Sequence, residues 1–117
     1  MSPPGVVFVV DDEAAVRHVI VRMLRDSGFE VADASNGQDA LLALEGGLVP
    51  SVIILDLWMP ILDGWEFLER ARPTVPVIVI SGITDQLQNL PPCVVKVLRK
   101  PVSLDQLTSA IRAALSS

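Results

Sequence analysis

The chain has 117 residues, half of them apolar, and its 14 acidic and 9 basic side chains give a formal net charge of −5. This length predicts a single domain over residues 1–117, with its core within about residues 5–115. The lone cysteine, Cys93, cannot form an internal disulfide, so a disulfide-held scaffold is excluded. The longest apolar runs have five residues, whereas a membrane-spanning helix needs about 20.

The charge balance also limits the partners of this domain. Nucleic-acid binding needs clustered Lys and Arg, and base stacking needs aromatic side chains, which make up only 4% of the chain. No basic stretch precedes the first apolar run, which argues against a secretory signal. We therefore expect a cytoplasmic domain that binds neither nucleic acid nor a membrane directly.

Short apolar runs rich in Val and Ile predict the strands. Continuous β-branched runs of this kind are typical of strands buried on both faces, as in a parallel sheet. The weakest of the five is the second, which contains two acidic residues. In chain order the predicted strands are Val6–Val10, Glu30–Ala34, Val52–Leu55, Val77–Ile80 and Val94–Leu98.

Amphipathic segments between the strands predict helices. The first has apolar residues at i, i+3, i+4, i+7 and i+8, which form one helix face: Val16, Val19, Ile20, Met23 and Leu24. Ser27-Gly28 ends it, since Gly readily adopts the left-handed conformation of a helix terminus. The second helix begins at Ser35 or Asn36 and ends at Gly46-Gly47.

Two further helices are predicted by their first residues. Asp63–Glu66 and Ser103–Gln106 both resemble capping boxes and precede apolar residues at helical spacing. Between Gly82 and Pro92, residues Thr84–Leu90 predict only one or two helical turns, because Pro91-Pro92 ends any helix there. This fourth helix is expected to be short, irregular or disordered. The alternation of strands and helices predicts an α/β fold, a doubly wound parallel sheet with helices on both faces.

Polar residues follow the predicted strands at their carboxyl ends, where ligands bind in open parallel sheets. We expect five of these side chains to converge: Asp11, Asp12, Asp56, Ser81 and Lys100. Three carboxylates at one edge repel each other and need a cation, and a small set of hard oxygen ligands suits Mg²⁺. An aspartate beside Mg²⁺ and a lysine can act as a nucleophile toward phosphorus.

Four segments together resemble the receiver domain of two-component response regulators over roughly residues 5 to 115. They are Val9–Glu13, Ile54–Pro60 with Asp63-Gly64 following, Val79–Gly82 and Leu98–Pro101. Each segment is a weak signal alone, and their order and spacing make the set specific. The resemblance implies a flavodoxin-like sheet of strand order 2-1-3-4-5.

The resemblance also implies roles for individual residues. Asp56 is the implied phosphoacceptor, and Ser81 the hydroxyl that moves to bind the phosphoryl group. Asp12 is implied to bind Mg²⁺ directly, Asp11 to bind it through water or to position it, and the backbone carbonyl of Trp58 to be a further ligand. Lys100 is implied to contact a phosphoryl oxygen, with a cis peptide bond before Pro101.

A signalling role follows from the same resemblance. The phosphodonor is implied to be a phosphohistidine on a sensor histidine kinase or a histidine phosphotransfer protein, or a small acyl phosphate. Receiver domains are not enzymes acting on other substrates; they catalyse their own phosphorylation and dephosphorylation. An output domain or target outside this chain is expected, with a shift of the distal face as the output.

Two features depart from the family pattern. Val97 stands three residues before Lys100, where most receivers have an aromatic residue that turns inward on activation. The segment between Ser81 and Lys100 is also shorter than usual. We therefore expect an atypical output surface or a weak conformational response, with the phosphorylation chemistry retained.

Two other functions are open. A pseudo-receiver would retain the fold without phosphorylation, although Asp12, Asp56 and Lys100 are all present. A Mg²⁺-dependent phosphatase of the haloacid-dehalogenase type would need a second Asp two residues after the nucleophile, where this chain has Trp58. Trp58 could instead shield an acyl phosphate from water or contact a partner, whereas Trp65, near the start of the third helix, is expected to have a packing role.

Overall fold

The computed structural model describes residues 5–83 and 87–116. Five strands form one parallel sheet of order β2-β1-β3-β4-β5, as predicted. The strands are β1 (Val6–Val10), β2 (Glu30–Ala34), β3 (Val52–Asp56), β4 (Val77–Ser81) and β5 (Val94–Arg99). The helices of the described ranges are α1 (Ala14–Asp26), α2 (Gly37–Glu45), α3 (Gly64–Ala71) and α4 (Leu104–Leu115).

Helices lie on both faces of the sheet, each over its own apolar core. One core contains side chains of α1 and α4, and the other contains side chains of α2 and α3. Every residue of β3 and β4 is buried, because these strands have neighbours on both sides and helices on both faces. The central strands therefore form a rigid base whose carboxyl ends hold the acidic residues.

The predicted helix starts are confirmed by hydrogen bonds. The side chain of Asn36 accepts a hydrogen bond from the Asp39 N–H at 2.8 Å, so Asn36 rather than Ser35 is the N-cap of α2. The Asp63 side chain accepts one from the Glu66 N–H at 2.9 Å. Before α4, both bonds of the capping box are present between Ser103 and Gln106.

Two predictions about burial are wrong. The apolar spacing predicts Val19 on the buried face of α1, but Val19 is 56% exposed, because it lies at the margin of the apolar stripe. The run Val94–Leu98 predicts a strand buried on both faces, yet Val95 is 54% exposed and Val97 37% exposed. The reason is its position: β5 is an edge strand that pairs only with β4 in the described part of the chain.

The segment before β5 is the most unusual part of the fold. Residues 87–92 form no helix, and Val94 N–H donates to the Pro91 carbonyl at 3.0 Å where the chain turns into the strand. The rest of the weak helix expected over Thr84–Leu90 lies outside the described residues. The Lys100–Pro101 peptide is cis, as the resemblance implies. No helix of the described ranges is long and apolar enough to cross a membrane.

Candidate functional site

Three carboxylates meet at the carboxyl end of the sheet. Asp11 follows β1, Asp12 comes next, and Asp56 is the last residue of β3. One oxygen from each lies within 4.8 Å of the others, which is a spacing that a single metal ion could bridge. Asp11 and Asp56 are buried and Asp12 is partly exposed. The cluster therefore reaches solvent through Asp12.

Lys100 brings a positive charge into this cluster. Its Nζ lies 3.0 Å from Asp11 Oδ2, 3.0 Å from Glu13 Oε1 and 3.3 Å from Asp56 Oδ2. Burial alone would lower the pKa of Lys100, but the three carboxylates around it outweigh burial and raise the pKa above its ordinary value. The ammonium group is therefore charged at every physiological pH.

Asp56 has the most informative electrostatic environment. Burial raises the pKa of Asp56 from 3.8 to about 6, with Asp11 adding to the rise. Lys100 opposes this effect, as does the Trp58 N–H, which donates to Asp56 Oδ1 at 3.1 Å. A carboxylate whose pKa lies near neutrality is more basic than an exposed one, and greater basicity is a useful property in a nucleophile.

One oxygen of the cluster lacks a hydrogen bond. Asp11 Oδ2 is buried and, within the described residues, accepts no hydrogen bond of good geometry, although Lys100 Nζ lies 3.0 Å from it. Asp11 Oδ1, by contrast, accepts from the Glu13 N–H at 3.0 Å. Buried carboxylate oxygens are normally satisfied by donors or by a metal. The donor set of Asp11, Asp12 and Asp56 therefore fits a hard cation.

Local sequence features hold this geometry. The Arg17 guanidinium donates to the Asp11 backbone carbonyl at 2.8 Å and to Asp33 Oδ2 at 2.9 Å, which ties α1 to the ends of β1 and β2. Gly64 at the start of α3 lies so close to Leu57 that an added Cβ would meet its Cα at 2.6 Å. Only glycine permits this approach, which sets the path of the chain after Asp56.

Ser81 lies at the end of β4, but its hydroxyl is engaged within its own turn. Ser81 Oγ donates to the Ile83 carbonyl at 2.7 Å and accepts from the Ile83 N–H at 3.1 Å. Its implied contact with a phosphoryl group would require these bonds to rearrange. Lys100 N–H donates to the Ser81 carbonyl at 2.9 Å, so the backbones of the two residues are directly linked.

Two aromatic residues extend the site toward α3. Trp58 is 46% exposed, and its ring lies 4.9 Å from that of Trp65 at an interplanar angle of 75°. Trp65 Nε1 donates to the Gln88 carbonyl at 3.2 Å. Trp65 packs at α3 as expected, but its link to Trp58 was not predicted.

The structure brings four of the five predicted side chains into one cluster, and Ser81 lies beside it with its hydroxyl directed into the turn. Sequence reasoning missed Glu13 as a partner of Lys100. The only available signal was the position of Glu13 directly after Asp11 and Asp12, and this signal does not say which cation it meets.

A parallel sheet of order 2-1-3-4-5 with carboxylates and a lysine at its carboxyl edge defines a doubly wound, flavodoxin-like α/β domain. A family model described as the response regulator receiver domain matches residues 7–112, so the chain belongs to that family. The receiver domain is a signalling domain of two-component systems.

Solved structures agree with this assignment. The receiver domain of the hybrid histidine kinase CckA is 34% identical, with a TM-score of 0.78 over 95% of this chain and 99% of that one. A CheY-like receiver domain from Methanospirillum hungatei is 25% identical, with a TM-score of 0.88 over 98% of this chain and 95% of that one.

Curated relatives are longer proteins. A probable transcriptional regulator, ycf27, of Pyropia yezoensis is 35% identical over 93% of this chain but only 46% of its own length. A protein-glutamate methylesterase/protein-glutamine glutaminase of Xanthomonas oryzae is 45% identical over 74% of this chain and 25% of its own length. The chain therefore spans less than half of the curated relatives that it matches.

Proposed function

We propose that this domain is a phosphorylation-dependent switch in which Asp56 accepts a phosphoryl group from a partner phosphohistidine. The observation that carries this proposal is the placement of Lys100 Nζ 3.0 Å from Asp11 and 3.3 Å from Asp56, next to three carboxylates that could share one cation. A purely structural ion pair would need one carboxylate, whereas Lys100 contacts those of Asp11, Glu13 and Asp56.

The proposed step is a displacement at phosphorus. A carboxylate oxygen of Asp56 attacks the phosphorus atom, and an O–P bond forms as the P–N bond to the donor imidazole breaks. The electron pair of that bond goes to the imidazole nitrogen, which is then protonated. Hydrolysis by water returns free phosphate and the Asp56 carboxylate. Neither redox chemistry nor a further co-reactant is needed.

Lys100 has two tasks in this scheme. Before the reaction its charge offsets the mutual repulsion of Asp11, Glu13 and Asp56. During transfer it stabilises negative charge on a phosphoryl oxygen, which is the role of fixed cations in phosphoryl transfer generally. Because the raised pKa keeps Lys100 charged, neither task requires a proton to move.

The acidic residues would hold Mg²⁺. Asp12 and Asp56 offer direct ligands, Asp11 offers an oxygen that lacks a hydrogen bond, and the Trp58 carbonyl is a fourth proposed ligand. When bound, Mg²⁺ would neutralise charge on the transferred group. The chain's own contribution is to fix these oxygens on buried strand ends.

Several wider properties belong to the same proposal. The donor would be a sensor histidine kinase or a histidine phosphotransfer protein, and the domain would act in the cytoplasm. An output domain or target would read the phosphorylated form, as the names of the longer relatives suggest for those proteins. The domain would also catalyse its own dephosphorylation.

Intact mass after incubation with acetyl phosphate and Mg²⁺ tests the central claim. The wild-type protein should gain the mass of one phosphoryl group, and Asp56→Asn should gain none, because an amide is not a nucleophile here. Asp63→Asn is the matched control, since Asp63 is another loop aspartate that only caps α3. A gain that persists in Asp56→Asn would place the phosphoryl group elsewhere.

Mg²⁺ binding tests the proposed ligands separately. Tryptophan fluorescence during a Mg²⁺ titration should respond in the wild-type protein, because Trp58 lies two residues from Asp56. Asp12→Ala should weaken the apparent affinity at least about tenfold, since it removes a direct ligand. Unchanged affinity would remove Asp12 from the site. If Mg²⁺ binds but no donor phosphorylates Asp56, the domain is a pseudo-receiver.

A further inference from the structure

We propose that Trp58 and Trp65 couple the state of Asp56 to residues 87–93, so that phosphorylation is reported beside α3 rather than at Val97 on β5. This inference rests on the proposed function for its trigger. It concerns a separate property, which is the path by which a change at Asp56 reaches the surface. Three consecutive contacts form that path.

The first contact joins the nucleophile to the backbone of Trp58. The Trp58 N–H donates to Asp56 Oδ1 at 3.1 Å, and this bond is one of the interactions that stabilise the charged form of Asp56. An acyl phosphate has no carboxylate charge on its aspartyl oxygens. The bond to the Trp58 N–H then loses its ionic acceptor and weakens, since charge-assisted hydrogen bonds are about twice as strong as neutral ones.

The second contact joins the two indole rings. Their centroids are 4.9 Å apart in an edge-to-face arrangement, a geometry that aromatic pairs favour. Trp58 is about half exposed, so its ring can shift without opening a cavity in the core. Trp65 is the second residue of α3, and its ring contacts that of Trp58. A shift of the Trp58 ring therefore changes the orientation of the Trp65 ring.

The third contact joins Trp65 to the segment that precedes β5. Trp65 Nε1 is the only polar atom of its side chain and donates to the Gln88 carbonyl at 3.2 Å. Residues 87–92 form no helix, so no helical ladder of backbone hydrogen bonds holds this segment. Trp65 also lines a groove of about 630 Å³ together with Leu68, Pro73, Pro91 and Cys93.

The alternative route from Asp56 to the surface, through Val97 on β5, has no side chain that can make a large movement. Val97 is 37% exposed and has a short, stiff side chain, so no large buried-to-exposed change is available to it. It lies opposite Val79 in the sheet, whereas the Trp65 contact lies beyond the loop after β3. The described contacts therefore favour the tryptophan path.

Backbone amide hydrogen exchange in residues 87–93 provides the test, with phosphorylation measured by intact mass in the same samples. Pro91 and Pro92 have no N–H, so the readout comes from Leu87–Leu90 and Cys93. Phosphorylation of the wild-type protein should raise exchange there about fivefold. Loss of the bond from Trp65 Nε1 to the Gln88 carbonyl, a neutral hydrogen bond, would favour local opening of the segment by about that factor.

Trp65→Phe removes the indole donor but retains an aromatic ring. It should be phosphorylated as readily as the wild-type protein, should show the raised exchange already at rest, and should show no further rise. Val97→Ala is the matched control and should respond like the wild-type protein. Trp58→Leu interrupts the path at the other ring, and should lack the response even if Trp65→Phe folds poorly.

Some outcomes would overturn the inference. They are a phosphorylated wild-type protein with unchanged exchange at 87–93, a full response in Trp65→Phe, and a response lost in Val97→Ala. If no donor phosphorylates the wild-type protein, the proposed function fails, and Asp56→Asn still tests the path. Asp56→Asn removes the charge of Asp56 and so weakens its bond to the Trp58 N–H, and it should raise exchange at 87–93 about twofold over the wild-type protein. Adding Asp56→Asn to Trp65→Phe should give no such rise over Trp65→Phe alone. Equal exchange in all these proteins would refute the path.

Discussion

Strands β4 and β5 are neighbours and both are rich in Val, yet their environments are opposite. All five residues of β4 are buried, whereas most of β5 is exposed and only Leu98 is buried. The difference arises from position, because β4 lies between two strands and β5 lies at the edge. The residues that support the proposed chemistry therefore stand on a rigid base, while the adjacent edge is free to vary.

The comparison separates two properties of the domain, which are the chemistry at the acidic cluster and the surface that reports it. The buried ends of β1, β3 and β4 hold Asp11, Asp56 and Ser81 in place. Strand β5 provides only the residues that precede Lys100. The surface next to β5 lacks a helix in the described residues 87–92. Receiver chemistry can thus be retained while the reporting surface is rebuilt, and the following substitutions test this separation.

The largest effect is expected at Lys100. Lys100→Ala should slow phosphorylation by acetyl phosphate about 100-fold, because it removes the fixed charge that stabilises the transferred group. The time course of intact mass measures the rate. Lys96→Ala is the control, since Lys96 is exposed on β5, the strand that leads to Lys100, and its loss should leave the rate unchanged. Equal rates for Lys100→Ala and the wild-type protein would contradict the proposed role.

A matched pair of valines compares the two strands directly. Val79 on β4 and Val97 on β5 are register partners, but Val79 is fully buried. Val79→Ala should lower the free energy of unfolding by about 2 kcal/mol, whereas Val97→Ala should cost well under about 1 kcal/mol. Urea denaturation measures both. Similar losses would mean that the edge is covered in solution.

The raised pKa of Asp56 predicts a dependence of stability on pH. The folded state holds the Asp56 proton more tightly than the unfolded state, because its pKa is about 6 instead of 3.8. Stability from this group is therefore present below about pH 4 and is lost as pH rises through about 6, a change of about 3 kcal/mol.

Denaturation without Mg²⁺ checks this sign. Asp56→Asn cannot titrate at this position, so its free energy of unfolding relative to the wild-type protein should increase between about pH 4 and about pH 6.5 and then level off. The levelling occurs because the folded wild-type protein has then lost the Asp56 proton, whose pKa is about 6. A difference independent of pH would mean that Asp56 has an ordinary pKa in the folded state.

The smallest effect is expected in the loop after β3. Ile61 has a φ of 71°, a left-handed conformation that costs a β-branched residue about 1 kcal/mol, and it is 79% exposed. Ile61→Asn should raise the free energy of unfolding by up to about 1 kcal/mol, because Asn tolerates this conformation. Val49→Asn, at an equally exposed site, should give no gain.

Much of the fold followed from local patterns in the sequence. The strand runs, the N-caps at Asn36 and Ser103, and the position of polar residues after strands were sufficient to predict the sheet and the cluster of Asp11, Asp56 and Lys100. These predictions succeeded because parallel strands bring their carboxyl ends to one edge, whatever the details of packing. The order of the strands came from the family resemblance.

The remainder depends on tertiary neighbours that periodicity does not encode. A β-branched run is typical of central and of edge strands alike, so the pattern does not distinguish the two. The exposure of Val95 and Val97 could therefore not be predicted. The contacts of Glu13 with Lys100 and of Trp65 with Gln88 join residues far apart in the chain. Such contacts depend on side-chain reach in the folded state.

The exposed charges of β5 have a consequence for self-association. An edge strand presents backbone groups that can extend a sheet into another molecule. Lys96 and Arg99 are both exposed on this strand, so two copies aligned edge to edge would bring like charges together. The edge that lacks helical cover from residues 87–92 is thereby protected against aggregation by its own basic side chains.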